Sequence, residues 1–279
     1  MRTKPVAMSI EEYHRQPTRP GWKCEYWDGK MRLQPRHSIA VVRCETAFRP
    51  VSAPEGFCLR PVTLEDAPRL MSAFFDAFQE SVDYWDYTQP AIRRSAQDSI
   101  ESCFAGKRGA FHAASFLAVA PTRRSIAGAA MLVQDIDGPN LDLLFVRPRW
   151  QRFGLATALV QSAVNTLHEL GEPTLDSGHD VANDPSALWH RRFGFTELPD
   201  LMRAKEEAAC ARQELHRREE EGNLENAARQ ALKRQAAYWK RQVAALEAIA
   251  ERDGWEAVSP ILRRGRVRKR SKEEHVKEA

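Results

Sequence analysis

The sequence predicts an α/β domain with a helical extension, and three observations carry that reading. Leu141–Val146 is a near-continuous apolar run, as expected of a strand buried on both faces, and it passes through a short polar turn into an amphipathic stretch over 154–170. Upstream and downstream of it, segments of helical and strand period alternate. Beyond residue 200 Gly and Pro become scarce, and Ala, Glu, Arg and Gln dominate with apolar positions three and four apart.

With 279 residues the chain can form one full domain plus additions. Its net charge of +4 is too small for a general polyanion binder, but the charge is uneven: 19 Lys and Arg face 14 Asp and Glu from Arg203 onward. Five cysteines (Cys24, Cys44, Cys58, Cys103, Cys210) stand singly, with no zinc-type spacing, and no metal is expected. Their odd number and the absence of a secretory leader behind Met1–Pro5 fit a reducing cytoplasm. No apolar run approaches the roughly 20 residues of a membrane span, so no membrane partner is expected.

The elements follow in order. Ser9 with Glu12 is a capping pair that opens a short helix, stopped by Pro17 and Pro20-Gly21. Lys23–Trp27 and Lys30–Leu33 flank Asp28-Gly29 as a hairpin, and a second apolar run, Ile39–Val42, follows. Residues 1–50 thus form an N-terminal appendage. A strand over 57–64 ends near Pro61, and Thr63 with Glu65 and Asp66 opens a helix with an apolar stripe from Leu64 to Phe78. Glu80–Pro90 breaks the period with acids and aromatics, either a pocket lining or a surface loop with anchoring rings. A helix over Ser95–Phe104, strands at Ser115–Ala120 and Ile126–Gln134, and a turn at 136–140 lead into Leu141–Val146.

Helix 154–170 ends at Gly171 with Pro173 beyond it, Thr174–Gly178 is a strand, and Asn183-Asp184-Pro185-Ser186 opens a short helix before Phe193-Gly194-Phe195. The domain boundaries fall at 51–200 for the central domain and 201–255 for a helical hairpin or coiled coil. A basic tail over 256–279, rich in Arg from Arg263 to Arg270, has too few apolar residues to fold.

Two motifs carry chemistry. Gln151-Arg152-Phe153-Gly154-Leu155-Ala156 fits Q/R-x-x-G-x-G/A, a turn whose backbone N–H groups and helix N-terminus suit a diphosphate. The second is Asn183-x-x-Ser186-x-x-x-His190-x-x-x-Gly194-Phe195. With this order of elements, residues 57–200 resemble the Gcn5-related N-acetyltransferase (GNAT) superfamily. The resemblance implies a mixed, mostly antiparallel sheet flanked by helices, with acetyl-CoA wedged between a splayed pair of strands. It implies that Leu144, Phe145 and Val146 offer backbone groups to the pantetheine arm and acetyl carbonyl. It places the diphosphate along Gln151, Arg152, Phe153, Gly154, Leu155, Ala156 and Thr157, and puts Asn183, which hydrogen-bonds pantetheine amides, and Ser186 on the cosubstrate. Residues 8–45 resemble the opening of Uma-type restriction-endonuclease-like proteins through Met8–Tyr13 and Cys24–Gly29, but the nuclease carboxylates have no counterpart and nuclease activity is not expected.

The activity implied is transfer of the acetyl group from acetyl-CoA to a primary amine of a small molecule or peptide, by direct attack on the thioester. Family members often carry Tyr four residues before the Gly, as general acid; here His190 stands there, either an imidazolium donor or a helix-surface residue. Asp142, two residues before Leu144 and so expected on the same face, is the leading candidate base, with Glu80, Asp83 and Tyr84 behind it. It could equally anchor a substrate ammonium or be a solvated carboxylate. A rival reading is a non-catalytic acyl-CoA-binding scaffold that recruits a partner through its helices and tail. The hairpin could serve a homodimer, and nucleic acid is not expected as a partner.

Overall fold

The computed structural model describes residues 5–121, 125–222 and 225–260. Val6–Ala7 (β1) precedes Ile10–His14 (α1), whose Ser9–Glu12 capping box is complete. Trp22–Trp27 (β2) and Lys30–Pro35 (β3) form the expected hairpin, with positive φ at both Asp28 and Gly29, the backbone of a type I′ turn. Ile39–Glu45 (β4), Cys58–Pro61 (β5), Ala67–Phe78 (α2) and Gln89–Phe104 (α3) follow. Next come Ala110–Phe111 (β6), Phe116–Val119 (β7), Ile126–Asp135 (β8) and Gly138–Val146 (β9). Leu155–Glu169 (α4), Thr174–Asp180 (β10), Asp184–Phe193 (α5) and Thr196–Glu197 (β11) complete the central domain, and Leu201–Glu220 (α6) and Asn226–Asp253 (α7) form the hairpin. No helix of the described residues is long and apolar enough to cross a membrane.

The chain divides into two compact units. The first holds Val41–His179 and Pro185–Glu197. Its eight-stranded sheet runs β11-β4-β10-β9-β8-β7-β5, with β6 paired to β8, and is mostly antiparallel, as the resemblance implies. Helices cover both faces. Leu155, Leu159, Ala163 and Leu167 of α4 pack with Leu175 and Phe195 on one face; Leu70, Phe74, Ala96 and Ile100 of α2 and α3 pack with Met131 and Phe145 on the other. This two-sided cover explains the nearly unbroken apolar run of β8. Cys44 and Cys103 are inert core residues, their thiols pushed up to about 12 by burial.

The structure differs from the sequence reading in where β4 belongs. Ile39–Val42 was expected in the N-terminal appendage, yet β4 lies inside the large sheet, between β10 and β11. The reason is apolar burial: Val42 and Cys44 are part of the core beneath α4, which an isolated hairpin could not offer them.

The second unit holds the described residues up to Ala40, Asp180–Asp184, and the stretch from Leu198. The N-terminal hairpin is tied to α6 within it: the Gly21 N–H donates to Glu206 Oε1 (2.9 Å), and Arg217 donates to the Arg15 carbonyl (3.2 Å). Leu201 and Ala204 of α6 close on Leu246 of α7 and on Val258, so these apolar positions of the hairpin pack within the chain. The 256–279 tail was expected to be unfolded throughout, but Trp255–Val258 is a 3-10 turn with Val258 buried; the Arg263–Arg270 run lies outside the described residues.

Candidate active site

The site begins where two strands part. β9 and β10 run parallel and pair at Asn140–Asp176 and Leu141–Ser177 only. Beyond those positions β9 continues to Val146 and β10 to Asp180 without pairing to each other, which leaves the backbone of residues 142–146 open on that side. On its other side β9 is fully held by β8, through to the Gly128–Val146 pair. Gly128 has no room for a side chain, since a Cβ would stand 2.5 Å from the Phe145 carbonyl oxygen.

At the mouth of this opening is the turn that the sequence motif predicts. Gln151 is fixed by its side chain, which donates to the Val146 carbonyl (3.1 Å). Arg152 (φ +67°) and Gly154 (φ +80°) both adopt the left-handed region, and Gly154 caps α4. Such a backbone turns successive N–H groups to one side. Among the described residues, the N–H groups from Arg152 to Thr157 donate to no protein acceptor, the first bond of the helix being Ala158 N–H to the Gly154 carbonyl. A Cβ on Gly154 would meet nothing within 4 Å, so the space beside the turn is open. Unmet donors and the helix dipole suit an anion with several oxygens. Trp189 of α5 donates from Nε1 to Thr157 Oγ1 (3.3 Å), tying α5 to the same corner.

His190 does not lie on the helix surface. Its ring is buried, with Nε2 3.0 Å from Ser177 Oγ and Nδ1 2.9 Å from the Ser186 carbonyl oxygen. A carbonyl only accepts, so Nδ1 carries the proton and Nε2 accepts from the Ser177 hydroxyl. Burial, with a smaller contribution from His179, lowers its pKa to about 4. At neutral pH His190 is therefore uncharged. The imidazolium donor envisaged from the sequence is not the resting form, a correction that follows from burial. Ser177, which sequence reasoning did not single out, is the residue that His190 holds, at the last paired position of the opening. Ser186 is turned to His190 as well, its Oγ 3.4 Å from Nδ1, and Asn183 lies in the turn after β10, its N–H donating to the Asp180 carbonyl.

Asp142 also departs from expectation. Met131 pairs with Leu143 and Leu132 with Leu141, so Asp142 is the extra residue of a β-bulge. The bulge breaks strict alternation. Leu143 and Phe145 pack toward α2 and α3, Leu144 and Val146 toward α4, and Asp142 points to the α2–α3 side, opposite Leu144. There it is ion-paired to Arg108 Nε (3.2 Å) and nearly buried. The same side holds Tyr84, whose hydroxyl meets Ser95 Oγ (2.8 Å) and whose ring packs on Phe74, Phe78 and the exposed Tyr87. Burial raises the Tyr84 pKa and keeps its phenol neutral. Within Glu80–Pro90, Val82–Tyr84 takes 3-10 form and Gln89-Pro90 already opens α3. Among the described residues no group of acids, Cys and His is placed to hold a metal.

A family model for the acetyltransferase (GNAT) domain matches residues 57–196. The chain belongs to the GNAT acetyltransferase family. GNAT acetyltransferases use acetyl-CoA as cosubstrate. The GNAT match leaves out β4 and all of the second unit except Asp180–Asp184, so the stretch resembling Uma-type proteins lies outside it. The chain is similar to a solved GCN5-related N-acetyltransferase from Sphaerobacter thermophilus, at 19% identity over 57% of this chain and 48% of the other, with a TM-score of 0.43. It is also similar to the ribosomal-protein-S18-alanine N-acetyltransferase from Escherichia coli (19% identity, 51% and 79% covered, TM-score 0.38). A tandem GNAT protein from the clavulanic acid biosynthesis pathway is a further likeness (15% identity, 57% and 50% covered, TM-score 0.38). The chain spans about half the length of the first of these. A comparison with curated proteins gave no match.

Proposed function

We propose that this protein is an acyltransferase that moves the acetyl group of acetyl-CoA to a primary amine of a small molecule or peptide, by direct attack of the amine on the thioester. One observation carries the proposal: the row of unmet N–H groups from Arg152 to Thr157 stands at the mouth of the gap between β9 and β10. A diphosphate on that row would leave the rest of the cosubstrate to run along β9. In this reading Leu144, Phe145 and Val146 present backbone groups to the pantetheine arm, Ser186 stands on its other side, and Arg152 adds charge at the diphosphate.

Asp142 and Arg108 shape the opposite face of the same strand. We assign Asp142, nearly buried and ion-paired to Arg108, to holding the bulge rather than to removing a proton from the acceptor. His190 is a positioning residue for the Ser177 hydroxyl at the closed end of the gap. A thiol near pKa ~8.5 leaves readily as thiolate, so transfer does not require an imidazolium donor. The neutral His190 in the usual Tyr place favours a second reading, a non-catalytic acyl-CoA-binding protein that recruits a partner through α6 and α7. Thiol release from acetyl-CoA, measured across amines, amino acids, polyamines, aminoglycosides and N-terminal peptides, separates the two. Amine-dependent release supports transfer; acetyl-CoA binding without release for any acceptor supports the scaffold.

A further inference from the structure

Helices α6 and α7 differ in how their charges are met. α6 is balanced, with five cations and five anions, and Arg203, Arg217 and Arg218 are paired to Glu206, Glu207, Glu214 and Glu221 at 2.6 to 3.1 Å. α7 is not. From Asn226 to Leu246 it carries Arg229, Lys233, Arg234, Lys240 and Arg241 and no acid. Lys233 has a distant partner in Glu219 (3.8 Å), whereas Arg234, Lys240 and Arg241 have no ion pair among the described residues. The acids of α7 are confined to its last turns, at Glu247, Glu251 and Asp253.

The cations also share a surface. Leu232, Trp239 and Leu246 recur every seven residues on the side of α7 that carries its packing residues. Lys233 and Lys240 follow them by one position and Arg234 and Arg241 by two, hence roughly 100° and 200° round the helix. All four are exposed. From Lys233 to Arg241 the row extends about 12 Å, and Arg229, half-buried, stands nearer the packing side.

We infer that this face of α7 binds the phosphate backbone of nucleic acid. A row of about 12 Å with four cations faces roughly four phosphates of one strand, at about 3.4 Å per step along the axis. Guanidinium and ammonium groups on long stems suit phosphate oxygens, and the contact is with a repeating charge rather than with base edges. An acidic protein is the other polyanion to weigh. Protein interfaces centre on buried apolar or aromatic anchors, and the outer face of α7 offers an exposed Tyr238 and little else. The sequence beyond Pro260 adds eight Lys and Arg against three Glu in the same chain, which favours a partner with extended negative charge.

The test uses the full chain. Fluorescence anisotropy is measured against a mixed-sequence DNA duplex, an RNA duplex, a single strand and poly-glutamate, each over a salt series. The triple variant Arg234→Gln, Lys240→Gln, Arg241→Gln removes three exposed charges that support no bond in the fold. Its helicity and melting temperature should match the parent. Four phosphate contacts give a slope of log K on log salt near −3.6, and the variant should reduce its magnitude by about 2.7 on a duplex. A chain ending at Pro260 should keep a measurable share of the binding. The proposal is overturned by nucleic-acid binding that the triple variant leaves intact, by binding lost entirely with residues 261–279, by a preference for poly-glutamate, or by no binding at low salt.

Discussion

The role of His190 can be decided by acid. Its folded pKa of about 4 lies below the ordinary 6.5, so the folded domain resists protonating it while the unfolded chain does not. A depressed pKa gives stability that is whole above pH 6.5 and is lost as pH falls through 6.5 toward 4. Between pH 7.5 and 5 the loss amounts to about 2 kcal/mol, from 1.5 pH units at about 1.36 kcal/mol each. His190→Gln keeps a hydrogen-bonding end near Ser177 but cannot titrate. Urea unfolding of parent and variant at both pH values isolates the difference, because other groups cancel between the two proteins. The parent should lose about 2 kcal/mol more than the variant on acidification. Acetyl transfer should show no ionisation near pH 6.5 that the variant abolishes. Equal pH dependence of stability in the two proteins, together with a transfer rate that follows an ionisation near 6.5 only in the parent, would refute the buried neutral state and restore the imidazolium donor.

Three further outcomes are expected. Gly128→Ala sets a Cβ against the Phe145 carbonyl, so β9 must shift; stability should fall on the order of 1–3 kcal/mol and acetyl-CoA affinity should fall with it, both readable by calorimetry. An unchanged affinity would mean that the position of β9 does not set the cosubstrate site. Asp66, held near pKa 2 by hydrogen bonds from Arg60 and Thr63 that outweigh the opposing effect of burial, contributes at most about 2 kcal/mol that disappears as pH falls from 4 toward 2; Asp66→Asn should flatten that part of the stability profile. Removing residues 1–50 takes β4 from between β10 and β11 and should leave the remaining domain aggregated or open to protease, whereas a soluble product with the parent's melting temperature would show β4 to be dispensable.

The sequence was informative where a local pattern sufficed. Ser9 and Glu12 announce a capping box, Asp28-Gly29 announces a hairpin turn, and Gln151–Ala156 announces a nest of N–H groups; each depends on neighbours within a few residues. Asp142 was misplaced because strand alternation assumes an unbroken ladder, and a bulge is written in the pairing of two strands rather than in one of them. His190 was read by its spacing to Gly194, which says nothing of burial. That came from Ser177 on β10 and the aromatic ring of Phe195 packing around it. β4 was assigned to the hairpin beside it in sequence because no local signal says that Val42 and Cys44 fit beneath α4. The family match, which begins at residue 57, is equally silent on that strand.

The turn between β9 and α4 is the proposed seat of the acetyl-CoA diphosphate. Thermal unfolding with and without acetyl-CoA, in the parent and in Gly154→Glu, tests this placement most directly. The substitution strains a backbone at φ +80° and places a carboxylate in the space left for the anion. Its stability without cosubstrate is therefore recorded alongside. In the parent a rise of several degrees is expected at saturating acetyl-CoA, roughly what 2.7 kcal/mol at a hundredfold excess over Kd gives, with no rise in the folded variant. An equal rise in both proteins would contradict it.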